Sequence, residues 1–252
     1  MTDTLFALTG KRMLVTGGTR GIGRAVSAHL ARAGADVVAN YVRDDEAAES
    51  LRKEIAACGA AFEICRADVS NPDGTRRLLD ALGPAPLSAF VHCAATGVHG
   101  ALQDLTLRHW DFTFALNARA FFDLVKALLP QLASGASLVA VSSEGADHAF
   151  PNYGLVGASK GALEALCRHM AIELAPRGIR VNVLSPGTVL TGALDAFLDK
   201  DARVREAIAR SPRGRLTTVD EVAYAAHFLC SEASAGLNGH TLVVDGGQRI
   251  RG

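Results

Sequence analysis

A doubly wound α/β domain, seven parallel strands in one sheet with helices on both faces, is the fold class this 252-residue sequence predicts. Three observations predict it. Short apolar runs alternate with longer stretches whose apolar residues recur at helical spacing, the pattern of parallel strands and crossover helices. The runs are apolar throughout rather than alternating, as in strands covered on both faces. A glycine-rich turn joins the first run to the first helical stretch, the place where a doubly wound sheet receives a ligand.

The elements follow in order. Arg12–Thr16 reads as a strand, and the turn after it opens a helix through about Ala33. Asp36–Tyr41 is the second strand, with a helix near 45–58 behind it, and 61–66 is the third, with a helix over 71–82. A fourth strand at 89–93 leads to a long helix over about 108–129. The fifth strand, 137–142, precedes a helix over 153–174 in which Ala, Leu and Met recur at helical spacing. Strands at 180–184 and Thr241–Val244 complete the sheet. With right-handed crossovers these units place helices on both faces. Pro84-Ala-Pro86 is too brief to divide domains, so residues 1–252 read as one domain. The stretch 188–215, not plainly strand or helix, falls at the carboxyl edge of the sheet.

Composition removes several function classes. Lys plus Arg and Asp plus Glu both number 26, so the net charge is zero and no footprint for nucleic acid or an anionic membrane exists. Five cysteines, none paired as C-x-x-C, argue against a disulfide framework and for a reducing compartment. The eight histidines form no metal-ligand pattern, so no metal is expected. The first residues are too polar for a signal peptide, and no apolar run spans a bilayer. A cytoplasmic protein is expected.

The turn Thr16-Gly-Gly-Thr-Arg-Gly-Ile-Gly23 carries the first chemistry. Gly17 permits the tight turn, Gly21 lets the backbone approach a pyrophosphate, and Gly23 allows the helix to pack on the strand. Thr19, Arg20 and Ile22 complete it, and free N–H groups at the helix start face the phosphates. The sheet is therefore Rossmann-type. A carboxylate ending the second strand would grip an adenosine ribose and repel a 2′-phosphate. Here that strand ends Asn40-Tyr41-Val42-Arg43, with no acid before Asp44. Arg20 and Arg43 suit a phosphate instead, so NADPH is the expected cofactor.

The spacing T-G-x-x-x-G-x-G resembles the short-chain dehydrogenase/reductase family, and the resemblance covers nearly the whole chain. It implies that Asp68 and Val69 border the adenine, and that Ala94 and Ala95 border the cofactor after the fourth strand. It also implies that Pro186, Gly187, Val189 and Thr191, in a P-G-x-x-x-T segment, hold the carboxamide. His92-Cys93-Ala94-Ala95 departs from the family's usual Asn-Asn-Ala-Gly, which removes a backbone-stabilising asparagine.

A second departure concerns the chemistry. The family commonly carries Y-x-x-x-K, a serine at the preceding strand's end and an asparagine on the earlier helix. Lys160, Ser143 and Asn117 match, but Val156 stands where tyrosine is usual. Tyr153 lies seven residues before Lys160, on the same helical stripe if the helix begins by 153, displaced by about 4.5 Å at 1.5 Å per residue. Enoyl-thioester reduction puts hydride on the β-carbon while charge develops on an oxygen further along, so its donor belongs in such a displaced position. The Y-x6-K spacing resembles the NADPH-dependent type III enoyl-acyl-carrier-protein reductases, as do Ala94-Ala-Thr-Gly-Val98 and His109-Trp110-Asp111. The resemblance implies that Tyr153 serves the enolate oxygen and that Lys160 holds the nicotinamide ribose and supports the tyrosine. Ser143 would orient, with Ser142 as its alternative, and Asn117 would position the lysine or a water. His148 is an alternative proton donor, and Trp110 and Phe121-Phe122 read as core.

Three functional readings stay open: enoyl reduction, carbonyl reduction or alcohol oxidation, and a nucleotide-binding protein that has lost its chemistry. The expected substrate is an acyl thioester, on acyl carrier protein or coenzyme A. The stretch 188–215 would be its lid, with Arg203, Arg205, Arg210 and Arg213 facing the carrier or simply solvent. The family resemblance implies a homotetramer.

Overall fold

The computed structural model describes residues 5–196 and 200–250. Seven parallel strands lie in the order β3-β2-β1-β4-β5-β6-β7. They are β1 (Arg12–Thr16), β2 (Asp36–Tyr41), β3 (Phe62–Arg66), β4 (Leu87–His92), β5 (Leu132–Val141), β6 (Arg180–Pro186) and β7 (Thr241–Val244). Sequence order reverses between β1 and β4, so a crevice opens at their carboxyl ends.

Two apolar layers hold the helices to the sheet. On one face α1 (Gly21–Arg32) and α8 (Val219–Cys230) bury Val26, Leu30, Val222, Ala226 and Leu229 against Val15, Val91 and Val139. On the other, α5 (Ala120–Leu128) and α6 (Gly154–Leu174) bury Phe121, Leu124, Leu163 and Cys167 against Leu14, Phe90 and Leu138. Helices α2 (Asp45–Ala56) and α3 (Pro72–Leu82) flank β3, each started by a side-chain cap, from Asp44 and Asn71.

Several expectations are corrected. The predicted helix over 108–129 is α4 (Leu107–Phe114), a π turn (Ala115–Arg119) and α5 in succession. Strand β5 starts five residues before the expected 137. Helix α6 starts at Gly154, and Tyr153 is its N-cap rather than a helical residue. Inner strands are buried over most of their length, β5 being exposed only at Ser134 and Gly135, but edge strands β3 and β7 are half-exposed. Phe121 is core, whereas Trp110 and Phe122 are exposed. Within 188–215, Lys200–Arg210 forms α7, and residues 197–199 lie outside the described residues. Among the described residues no helix is long and apolar enough to cross a membrane.

Candidate active site

The glycine turn is built as its spacing predicts. Gly17 (φ 62°) and Gly21 (φ 51°) take left-handed backbone. A Cβ on Gly17 would meet the Ala94 backbone at 2.9 Å, and one on Gly23 would meet the Gly17 carbonyl at 2.1 Å. Arg20 is the N-cap of α1, with extended backbone and no side-chain cap, and no acid lies in the first turn. The helix start therefore presents uncapped N–H groups to an anion. Thr19 is buried beneath the turn and Ile22 is half-buried.

The rim of β2 decides what sits at the adenosine ribose. Asp44 caps α2, accepting from the Ala47 N–H at 2.9 Å, and is thereby held in the next helix. The Arg20 guanidinium stands 3.9 Å from it, and Arg20 and Arg43 are both exposed. Tyr41 donates to Asp45 at 2.8 Å. Below them the buried Asn40 donates to the Ala67 carbonyl at 2.8 Å, tying β2 to the start of the Asp68-Val69 segment. Asp68 is exposed and accepts from the Ser70 backbone and hydroxyl, while Val69 is buried.

The segment after β6 closes the crevice. Pro186 and Val189 are buried, and Ala94 is half-buried beside the exposed Ala95. A Cβ on Gly21 would lie 3.4 Å from the Thr191 side chain, so the P-G-x-x-x-T segment does return to the phosphate turn. Gln248, which sequence reasoning missed, holds it there by accepting from the Thr188 N–H at 3.2 Å and donating to the Ala207 carbonyl at 2.8 Å. Close glycine contacts, an uncapped helix start and a ribose rim whose carboxylates, Asp44 and Asp45, are engaged by the Ala47 N–H and the Tyr41 hydroxyl all fit a nicotinamide dinucleotide.

At the reactive end Ser143 and Tyr153 meet, hydroxyl to hydroxyl, at 3.1 Å. Ser142 instead donates to Glu164 at 2.6 Å, so Ser143 is the serine at the site. A Cβ on Gly145 would lie 2.3 Å from the Tyr153 ring, which therefore needs a glycine beneath it. Val156 is buried, and its methyl fills the space a Gly97 Cβ would need, at 2.2 Å. The ordinary tyrosine position is thus hydrocarbon packed on the loop after β4. Burial raises the Tyr153 phenol, with the Ser143 hydrogen bond and the Arg203 charge pulling the other way.

Lys160 is buried and donates to the Val141 carbonyl at 2.8 Å. Burial pulls its amine down to about 8. A cation acting on the phenol is Arg203 of α7, whose guanidinium donates to the Pro151 carbonyl at 2.8 Å. Asn117 does not hold Lys160 directly. It donates to the Thr96 carbonyl at 2.8 Å and to Ser159 at 2.9 Å, and accepts from the Thr96 N–H at 2.9 Å.

His148 is exposed and paired with Asp147 at 2.9 Å, away from the tyrosine. The histidine at the site is His99, missed in the sequence, whose ring stacks on Tyr153 with centroids 5.5 Å apart. Glu144 is buried and paired with Arg210 of α7 at 3.2 Å, while Arg213 binds Glu221 at 2.7 Å. Arg205 is exposed.

A Rossmann-type sheet with this turn, a Ser143–Tyr153 hydroxyl pair and a buried lysine defines an NAD(P)-dependent oxidoreductase. The family model described as enoyl-(acyl carrier protein) reductase matches residues 17–249. The 1-cyclohexenylcarbonyl-CoA reductase of Streptomyces collinus is 34% identical over 241 residues, covering 94% of this chain and 86% of that protein. Among solved structures, a short-chain dehydrogenase from Burkholderia cenocepacia J2315 in complex with NADP has a TM-score of 0.88 and 33% identity, covering 96% of this chain and 99% of the other. The angucycline C-6 ketoreductase LanV with bound NADP has a TM-score of 0.90 and 30% identity, covering 97% of each chain. The chain belongs to the short-chain dehydrogenase/reductase family.

Proposed function

We propose that this chain is an NADPH-dependent reductase of trans-2-enoyl thioesters carried by coenzyme A or acyl carrier protein. The observation that carries the reading is the position of the phenol: Tyr153 caps α6 and points at Ser143, while Val156 fills the usual position with a buried methyl. The similarity to a cyclohexenylcarbonyl-CoA reductase supports the same chemistry. NADP in related structures, and Asp44 held as a helix cap, support NADPH over NADH.

When bound, NADPH supplies the hydride. Gly17, Thr19, Gly21, Ile22 and Gly23 cradle its pyrophosphate, and Arg20 and Arg43 face its 2′-phosphate beside Tyr41. Asp68 and Val69 border the adenine, and Ala94 and Ala95 border the cofactor at the end of β4. Pro186, Gly187, Val189 and Thr191 face the carboxamide, and Lys160 binds the nicotinamide ribose. Tyr153, oriented by Ser143, donates a hydrogen bond to the thioester oxygen where charge develops. Asn117 braces α6 through Ser159. Helix α7 serves as the lid within 188–215, with the exposed Arg205 facing the carrier. The working unit in this reading is a homotetramer.

The test compares NADPH consumption on crotonyl-CoA and acetoacetyl-CoA. Crotonyl-CoA should be reduced, and Tyr153→Phe should lower kcat roughly 100-fold or more with NADPH affinity kept. A second reading, carbonyl reduction, is favoured by the 3.1 Å Ser143–Tyr153 contact and the likeness to a ketoreductase. Consumption with the ketone alone would establish it instead.

A further inference from the structure

His92, the last residue of β4, is fully buried and takes no part in the chemistry above. Its two ring nitrogens meet two different parts of the site. Nδ1 lies 2.8 Å from the hydroxyl of Thr16, which ends β1 and begins the glycine turn. Nε2 lies 3.3 Å from the carbonyl of Leu116, in the π turn that carries Asn117. A carbonyl only accepts, so Nε2 bears the hydrogen. Burial, with a smaller push from Lys160, pulls the imidazole down to about 3, so the ring is neutral at working pH. Nδ1 is then bare and accepts from the Thr16 hydroxyl. The two partners fix the tautomer, and the Phe90 and Phe121 rings, with centroids 5.9 and 5.6 Å away, fix the ring.

We infer that His92 is a positioning residue that holds the phosphate turn and the catalytic helix at a set spacing. From Thr16 the chain runs into Gly17–Gly23. From Leu116 it runs into Asn117, which grips Ser159, the residue before Lys160. Thr16, His92, Asn117 and Ser159 are all fully buried, and Leu116 between them is half-buried, so solvent reaches little of the bridge. Strand β4 lies between β1 and β5, which places a side chain at its end between the two halves of the site. π turns are frequent at functional sites, where they redirect side chains, and this one is braced by an imidazole. The inference concerns how the two halves are held, and stands whether the substrate is an enoyl thioester or a ketone.

Three substitutions separate the halves. His92→Asn keeps an amide within reach of Thr16 and loses Leu116. His92→Gln reaches Leu116 and loses the acceptor for Thr16. His92→Phe loses both and keeps the aromatic packing. One buried hydrogen bond sets the scale, roughly five- to tenfold. The Asn variant should lose that factor in kcat with the KM for NADPH unchanged, the Gln variant should gain it in KM with kcat unchanged, and the Phe variant should show both. Wild-type kcat in the Asn variant together with wild-type KM in the Gln variant would overturn the inference, even if all three melt lower. Should the variants fail to fold, 15N NMR of the wild-type imidazole decides. A neutral Nε2–H tautomer from about pH 5 to about pH 9 is expected, and an Nδ1–H tautomer or a titration in that window refutes the bridge.

Discussion

Lys160 shows what a single site residue costs its fold. Its ammonium is buried with the Val141 carbonyl as acceptor at 2.8 Å, and burial pulls it from 10.5 to about 8. A lysine with a depressed pKa binds its proton less tightly folded than unfolded. The folded state therefore carries the full penalty below pH 8, and is relieved of it as pH climbs from about 8 towards 10.5. The shift is worth on the order of 3 kcal/mol. Lys160→Met should accordingly raise the Tm of the cofactor-free protein by several degrees at neutral pH. The gain should shrink across that alkaline window and turnover should be lost. A lower Tm at neutral pH would mean that the Val141 bond outweighs burial. In the wild type, kcat/KM for NADPH should fall above about pH 8 as the free enzyme loses this charge. Lys160, Ser143 and Asn117 were legible because their spacing along helix and strand is local. His99 and Gln248 were not, because each reaches the site from a loop or terminus whose approach is set by tertiary packing alone; Glu144, next to Ser143, was legible as a residue near the site, but its pairing with Arg210 was not. The departure at His92 reads in sequence as a lost amide, yet the imidazole offers both a donor and an acceptor.

Among the elements, α7 and the loop between β5 and α6 are joined by charge. Arg210 pairs with the buried Glu144 and lies over the Phe150 ring at 5.6 Å, and Arg203 donates to Pro151, so both arginines hold the segment that carries Ser143 and Tyr153. Arg210→Met leaves a buried carboxylate without its cation, which is more damaging than losing the pair whole. With the arginine about a third exposed, the loss is on the order of 1–3 kcal/mol, or a few degrees in Tm. The KM for the thioester should rise severalfold while NADPH affinity holds. Glu144→Gln added to Arg210→Met should recover much of the Tm, and equal melting of the single and double variants would deny the latch. Sequence reading missed α8 for a related reason of chemistry. Its buried positions include Ala223, Ala226 and Cys230, small residues that blunt the helical period. The start signal was nevertheless present, because Thr218 and Glu221 form a capping box. The break in the helix over 108–129 left no such mark, since a π turn uses ordinary helix formers and is imposed by what its side chains must reach.

For the whole molecule, the two edges of the sheet differ in a way that bears on assembly. Edge strand β3 reads Phe-Glu-Ile-Cys-Arg and carries two exposed charges, which discourage pairing with another chain. Edge strand β7 reads Thr-Leu-Val-Val, has no charge, and leaves Val243 40% exposed. A second surface with exposed apolar side chains lies on α4 and α5, where Phe112 and Phe122 stand among the exposed Asp111, Asp123 and Lys126, and Ile172 of α6 is exposed as well. Large apolar side chains grouped on separate faces suit two different two-fold contacts, and two such axes generate a tetramer. The zero net charge adds no long-range repulsion between copies. Light scattering on the purified protein should therefore give about four times the 26.3 kDa chain mass. Val243→Arg should leave dimers joined through the helical face, and Phe112→Asp combined with Phe122→Asp should leave dimers joined through β7. Both dimers should keep NADPH binding, because the glycine turn lies on neither face. A monomeric wild type, or a tetramer indifferent to both changes, would show that these apolar faces serve another purpose.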